Sequence, residues 1–440
     1  MASNPTSKPR KFLFGQVLGP EQHEYVAVAW SFAYFFCVLS SYYILRPIRE
    51  AMAVGSGPDT IPYLFMGTFV AMMFAAPLFG WVTSRYPRRT FLPWINLFFV
   101  SNILIFWFIF SRNIDDGTDH IWLGRAFFVW LSIFNLFVVS VFWSFMADIY
   151  TREQGRRLFG FITAGGSIGA LIGAAATSAV VVKIGFQNLF PIAAAILIVP
   201  VLCIYKLRHW VAHEHEEEID ETVESSKPLG GSPLGGITHV FGSNYFLGIV
   251  VCSIIASLLG TALYIFAAQM VEESISGTNA RTEFYSNINF WTNLFALLGQ
   301  MFIVKQIVMR FGIGRSLALQ PIVSVAGFIL LAFDPVLAVV AFLTIARRAL
   351  GFSFSKPSTD MLYSVVTPEE KYKTKNFIET AVYRFGDIIG AWSVKLLMVL
   401  GISGVSIMML PFAAIWFVIA LWLGRDYKRQ ALALKSIGVE

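Results

Sequence analysis

The sequence predicts an all-α polytopic membrane protein, with twelve transmembrane helices in two bundles of six. Three observations predict it. Of 440 residues, 56% are hydrophobic and 14% charged, and mean hydropathy is +0.66, a balance foreign to a water-soluble globule. The apolar residues gather into twelve runs close to the ~20 residues that cross a bilayer as a helix. A polar stretch rich in charge, Gly, Pro and Ser then divides the runs six and six.

In chain order the expected spans are 25–50, 60–84, 90–111, 121–149, 157–182 and 187–206, then 244–270, 284–308, 314–333, 335–355, 376–400 and 403–424. Residues 1–24 form a cytoplasmic tail, 25–206 the first bundle, 207–243 a cytoplasmic linker, 244–424 the second bundle and 425–440 a cytoplasmic tail. Basic residues test this order. Of the 33 Lys and Arg, 23 fall in the tails and loops assigned to the cytoplasm or at the span ends bordering them, and only Arg112, Lys183 and Arg281 in loops on the other side. That asymmetry puts both termini in the cytoplasm, and an even number of spans requires the same. The membrane is taken to be a bacterial inner membrane, and the basic tail is expected without a cleavable leader.

The linker holds Glu216-Glu-Glu-Ile-Asp-Glu221 followed by SSKPLGGSPLGG. His213 and His215 beside the acids read as a solvated loop rather than a metal site. Cys37, Cys203 and Cys252 lie far apart within apolar runs and read as small buried hydrophobes. No P-loop, H-E-x-x-H or G-x-S-x-G occurs. An enzyme, an ATP-driven pump and a cofactor or metal site are therefore not expected. The net charge of +6 belongs to the loops, so no nucleic-acid partner is expected either. The expected partners are the lipid bilayer and a small-molecule substrate, carried by a monomer.

Four spans place ionisable groups where lipid penalises them. Span one carries Arg46, Arg49 and Glu50 around Pro47, which is expected to break the helical ladder beside a cavity. Span four ends with Ser140, Ser144 and Asp148 on one face. Span ten contains Arg347 and Arg348 near its middle. In span eleven, at about 100° per residue, Lys375, Tyr383, Asp387 and Arg384 lie at roughly −40°, 40°, 80° and 140° from Glu379, a polar stripe turned inward. Arg384 and Asp387 are spaced to pair. Arg46, Arg49, Arg347, Lys375 and Tyr383 are the expected substrate-binding residues. Glu50, Asp148, Glu379, Arg384 and Asp387 are expected to carry protons or gate, with Arg49 and Glu379 facing one central cavity. In span five, Gly165, Gly169 and Gly173 lay a groove along one face for close helix packing.

Gly80-Trp-Val-Thr-Ser-Arg85-Tyr-Pro-Arg88-Arg89 resembles the loop motif G-x-x-x-D-R-x-G-R-R of the major facilitator superfamily, with Ser84 in place of the acid and Pro87 in place of glycine. The six-plus-six layout is similar to that superfamily's fold, which implies a substrate site between two halves. Within it, Tyr43-Ile-Leu-Arg46-Pro-Ile-Arg49-Glu50 resembles the first-span motif of the ATP/ADP translocases of plastids and intracellular bacteria. Trp143-Ser-Phe-Met-Ala-Asp148 and Glu370-Lys-Tyr-Lys-Thr-Lys375-Asn-Phe-Ile-Glu379 resemble two further patches of that family. The resemblance implies transport roles for Arg49, Asp148 and Lys375. Span seven departs from it. Gly260-Thr-Ala-Leu-Tyr-Ile-Phe-Ala-Ala-Gln269 lacks the family's acid and lysine cluster, which points to the same scaffold with a different cargo.

The expected function is a secondary active transporter of a small anionic or zwitterionic organic solute, working by alternating access. The alternatives are an ATP/ADP-type exchanger, an exporter of drug-like or siderophore-like compounds, and a non-transporting scaffold with a carrier fold.

Overall fold

The structure is a computed structural model. It describes residues 20–85, 88–112, 120–214, 240, 242–366, 374–375 and 377–436, and no strand occurs among them. The first half comprises α1 (Tyr25–Gly55), α2 (Ile61–Arg85), α3 (Arg88–Arg112), α4 (His120–Ile149), α5 (Arg152–Ile184) and α6 (Leu189–Glu214). The second comprises α7 (Asn244–Ser274), α8 (Thr278–Leu298), α9 (Val304–Phe333), α10 (Leu337–Leu350), α11 (Tyr383–Leu397) and α12 (Gly401–Ser436). Helices suit these apolar runs because hydrocarbon offers the backbone no hydrogen bonds except its own.

Among the described residues, nine stretches are long and apolar enough to cross a membrane. The last, Tyr383–Leu434, covers both α11 and α12, which part at Gly401, where φ is 67° and glycine alone avoids strain. α9 breaks in the same way at Gly312 (φ 78°). α2 and α8 are not among the nine; in α8, Asn279, Arg281, Glu283, Ser286, Asn287 and Asn289 make the helix too polar.

Several helices outrun the expected spans. α1 continues through Pro47 to Gly55, so the proline does not end the helix. α6 extends to Glu214, past the expected start of the linker at 207, and α12 extends to Ser436. The remainder of the linker, with His215 and the side chain of His213, lies outside the described residues, as do the side chains of Gly80, Ser84, Arg88 and Arg89.

The two halves repeat one packing plan. α1 packs on α4, α5 and α6, α3 on α6, and α2 on α4. α7 packs on α10, α11 and α12, α9 on α12, and α8 on α10. Each second-half pair is a first-half pair displaced by six helices, the signature of a parallel repeat. The halves meet where α5 lies on α8 and α2 on α11, pairs related by the same displacement. That position explains the polarity of α8: Ser286 Oγ donates to the Ala174 carbonyl of α5, and Asn287 Oδ1 accepts from Ser178.

The glycine groove of α5 receives α1. A Cβ added at Gly165 or Gly173 would lie 2.6 Å from the carbonyl oxygen of Phe32 or Ser40, and one at Gly169 would collide with that of Phe36. Ser40 Oγ donates to the Gly169 carbonyl at 3.0 Å. In the second half, Gly386 and Gly390 of α11 take α7 equally closely, meeting Ser257 and Leu258.

Candidate functional site

The last third of α1 is buried between both halves, and its charges meet there. Glu50 Oε1 accepts from Arg49 Nη2 at 2.6 Å and lies 3.8 Å from Arg46 Nε. Arg49 also donates to Ser132 Oγ of α4 at 3.1 Å and lies over the Phe128 ring, 4.6 Å from its centroid. Arg46 stacks over Tyr43 at 5.5 Å. One carboxylate thus serves two guanidinium groups.

The second half brings two more cations. Arg347 and Arg348 close the last turn of α10. Arg347 is 6% exposed, donates to the Ala256 carbonyl of α7 and lies 5.8 Å from the Trp416 ring centroid. Gly260 makes room for it, since a Cβ there would sit 2.7 Å from Arg347 Nη1. Arg348 Nη2 donates to Asn289 Oδ1 at 2.9 Å. Neither arginine has a carboxylate partner among the described residues.

Arg46, Glu50, Tyr264, Tyr285, Arg347 and Arg348 line a cavity of about 100 Å³ between the halves. Arg347 Nε is buried there without a hydrogen-bond partner, and the Tyr264 hydroxyl lies against the Glu50 carboxylate. Buried charge and unpaired polar atoms are costly, and an anion bearing several acceptor oxygens would accept hydrogen bonds from the guanidinium donors of Arg46, Arg347 and Arg348. A larger recess of about 710 Å³, at the end of α7 beside residues 400–403, contains Glu273 but none of these cations. The cluster of charged side chains lies at the smaller cavity.

The other expected residues are elsewhere. Asp148 is exposed in the last turn of α4. Lys375 pairs with Asp360 at 2.8 Å and Glu379 with Lys356 at 2.5 Å, in a partly exposed cluster at the start of the α11 segment. Glu379 therefore does not meet Arg49 in this conformation. Tyr383 is 44% exposed and does not line the cavity. Arg384 pairs with Asp387 at 3.3 Å, and Ser257 of α7 donates to Asp387.

The expected stripe along span eleven fails for a physical reason. Residues Ile378–Val382 form a π-helical turn, whose wider winding breaks the 100° phase and parts Lys375 and Glu379 from Asp387. Sequence reading also missed Tyr264, Tyr285, Asn289 and Thr344. The spacing of Tyr285 and Asn289, one turn apart on a polar α8, was the available signal.

Several contacts between the halves lie towards the end where α1 finishes. Lys395 of α11 donates to the Asp59 carbonyl at 2.9 Å and sits 4.7 Å from the Tyr63 ring, which packs edge-on against Trp392 at 5.1 Å. The backbone N–H of Phe186 donates to Asn279. This end is closed. Lys395→Met removes a hydrogen bond and a cation–π contact, each of order 1 kcal/mol. An impermeant maleimide applied from that side should label Ala267→Cys about fivefold faster in the Lys395→Met background; an unchanged rate would exclude the clasp as a gate.

Relatives include ADP,ATP carrier protein 1 of Chlamydia muridarum (strain MoPn / Nigg), 21% identical over 500 residues, which cover 99% of this chain and 93% of that one. ADP,ATP carrier protein 1 of Chlamydia pneumoniae is 22% identical, covering 98% and 95%. Among solved structures, the nucleoside transporter NupG aligns with TM-score 0.59 at 17% identity over 92% of this chain and 98% of its own. The D-xylose-proton symporter aligns with TM-score 0.57 at 13% identity, over 90% and 95%. At such identities the solved structures show a common fold. Residues 30–391 match the Major Facilitator Superfamily, and the chain belongs to that family, as an integral membrane transporter rather than an enzyme.

Proposed function

We propose that this protein is a secondary active transporter that moves a small organic anion, bearing a carboxylate or phosphate, between its two halves by alternating access. The observation that carries the reading is the pair Arg347, buried, and Arg348, partly buried, neither in an ion pair with a carboxylate among the described residues, lining one cavity with Arg46 and Glu50. Twelve spans, both termini in the cytoplasm of a bacterial inner membrane and a monomeric carrier complete the reading. The closed end then faces outward.

The relatives named as ADP,ATP carriers favour a second reading, nucleotide exchange. Against it, the α7 wall of the cavity consists of Gly260, Leu263, Tyr264 and Ala267, with no lysine for a polyphosphate. The full-length protein should be screened for thermal stabilisation by mono- and dicarboxylates, sugar phosphates, amino acids, peptides, siderophores and nucleotides, and each hit followed in proteoliposomes. Anions should stabilise, and Arg348→Gln should reduce uptake of the hit by tenfold or more, the order expected when a charged hydrogen bond of about 1.5–3 kcal/mol is lost. Stabilisation only by cations or neutral solutes would overturn the proposal. Saturable ATP/ADP exchange would return the chain to the nucleotide carriers.

A further inference from the structure

The Lys395 clasp closes the end at which α9 finishes and α12 begins. At the opposite end α9 starts, α12 finishes, and the two cross backbone on backbone. A Cβ added at Gly314 would lie 2.9 Å from the Gly424 Cα, and one at Gly424 would run into the Gly314 backbone. The crossing gathers basic residues. Arg315 and Arg425 follow the two glycines, Lys428 and Arg429 lie one turn further along α12, and Arg310 precedes the break at Gly312. All five are exposed. A Cβ at Gly312 would lie 3.6 Å from Lys428 Nζ, so this ammonium sits at the seam between the helices.

None of the five is in an ion pair with a described carboxylate. The acid beside them on α12, Asp426, accepts from Gln430 Nε2 at 3.0 Å. Elsewhere at this end basic residues are paired: Arg157 holds Glu21 and Glu24, Lys356 holds Glu379 and Lys375 holds Asp360. Like charges gathered without a partner repel, and an anion from outside the protein relieves them.

Two uncovered apolar stripes lead into these cations. On α12, Met408, Phe412, Ile415, Val418 and Trp422 are exposed at three- and four-residue spacing. The same face continues into Arg425 and Arg429. On α9, Ile322, Ala326, Ile329 and Phe333 form a second stripe, and Arg315 lies on it two turns before Ile322. α9 packs on α10 and α12, and α12 on α7 and α9, all in the second half, so both stripes face hydrocarbon. An exposed tryptophan settles at headgroup depth, and Trp422 stands one turn before Arg425. The cations therefore lie where acyl chains resting on the stripes would place their phosphate.

We propose that the crossing of α9 and α12 is a binding site for an acidic phospholipid, whose acyl chains lie along the two stripes and whose phosphate is held by Arg315, Arg425 and Lys428. A free phosphate would need the cations alone; the stripes that end in them favour a lipid. The site is separate from the anion cavity and does not rest on the transport reading. In the test, the full chain in neutral detergent is titrated with phosphatidylglycerol or phosphatidylcholine, and bound lipid is counted by native mass spectrometry. Phosphatidylglycerol should bind in preference. The triple variant Arg315→Gln, Arg425→Gln, Lys428→Gln should bind it at least tenfold more weakly, since each basic residue at an acidic lipid surface contributes about fivefold. Lys428→Gln alone, a change on an exposed side chain, should show a loss of about fivefold even if the triple variant fails to fold. The pair Arg156→Gln, Lys206→Gln removes two exposed cations from other helices at the same end and should bind like wild type. Inorganic phosphate, at ionic strength matched with chloride, should not displace the lipid. Equal binding of the two lipids, wild-type binding by the Lys428→Gln and triple variants, or an equal loss in the Arg156, Lys206 pair would overturn the site. Displacement by inorganic phosphate would overturn the lipid as its occupant.

Discussion

Gly169→Leu is expected to eliminate folded protein. The side chain would enter the space held by the Phe36 carbonyl of α1, which is backbone and cannot rotate away. The same change in an ordinary core costs about 1–3 kcal/mol because neighbouring side chains repack. Here α1 and α5 must separate along the whole groove from Gly165 to Gly173, and the Ser40–Gly169 hydrogen bond is lost with them. The penalty should exceed the upper end of that range, and a stability of about 5–15 kcal/mol leaves little margin for it. Monodisperse protein recovered from detergent should fall at least tenfold. Gly160, where an added Cβ meets nothing within 4 Å, provides the control on the same helix: Gly160→Leu should be recovered like wild type. Normal recovery of Gly169→Leu would show that the contact between α1 and α5 is not tight.

The second large effect is expected at Glu50. Glu50→Gln leaves Arg46 and Arg49 without their shared carboxylate in a site that already holds Arg347 and Arg348. Removing one partner of a buried ion pair costs about 3–5 kcal/mol, because the surviving charge stays buried. Thermal stability should therefore fall sharply, by several degrees or more. Adding Arg49→Gln removes one stranded charge and should recover most of the loss, giving a coupling energy of at least about 1 kcal/mol in a double-mutant cycle. Uptake should remain abolished in all three variants. Pairing Arg49→Gln with Glu379→Gln should instead be additive, since Glu379 is held by Lys356 and Arg49 by Glu50. Additivity between Arg49 and Glu50, or strong coupling between Arg49 and Glu379, would mean that the pairing seen here is not the one that stabilises the protein.

Some of the site was legible before any fold. Arg46, Arg49 and Glu50 interrupt an apolar run, and charge inside a span has few places to go; Glu50 is buried and both arginines are partly buried where α1 meets the second half. Arg347 stood out for the same reason. The pairing of Arg384 with Asp387 followed from helical spacing and holds at 3.3 Å. Lys375 and Glu379 did not follow, because a π turn at Ile378–Val382 leaves no pattern that distinguishes it from an α turn of the same composition. Asp148 stood at the end of a span, and only the structure shows that it lies at the surface.

The sequence by itself determined the helices, their division at the linker and the presence of buried charge. Those properties are set by local hydropathy and by the backbone's need to satisfy itself in lipid. Tertiary structure alone decided which charges share a cavity. Arg347 and Arg348 reach Glu50 and Arg46 from almost 300 residues away, through the packing of α7, α8 and α10 around the end of α1. Tyr264, Tyr285 and Asn289 belong to the site for the same reason. A tyrosine or asparagine in a span is a modest local feature, and only the neighbours supplied by other helices place it beside the buried charges.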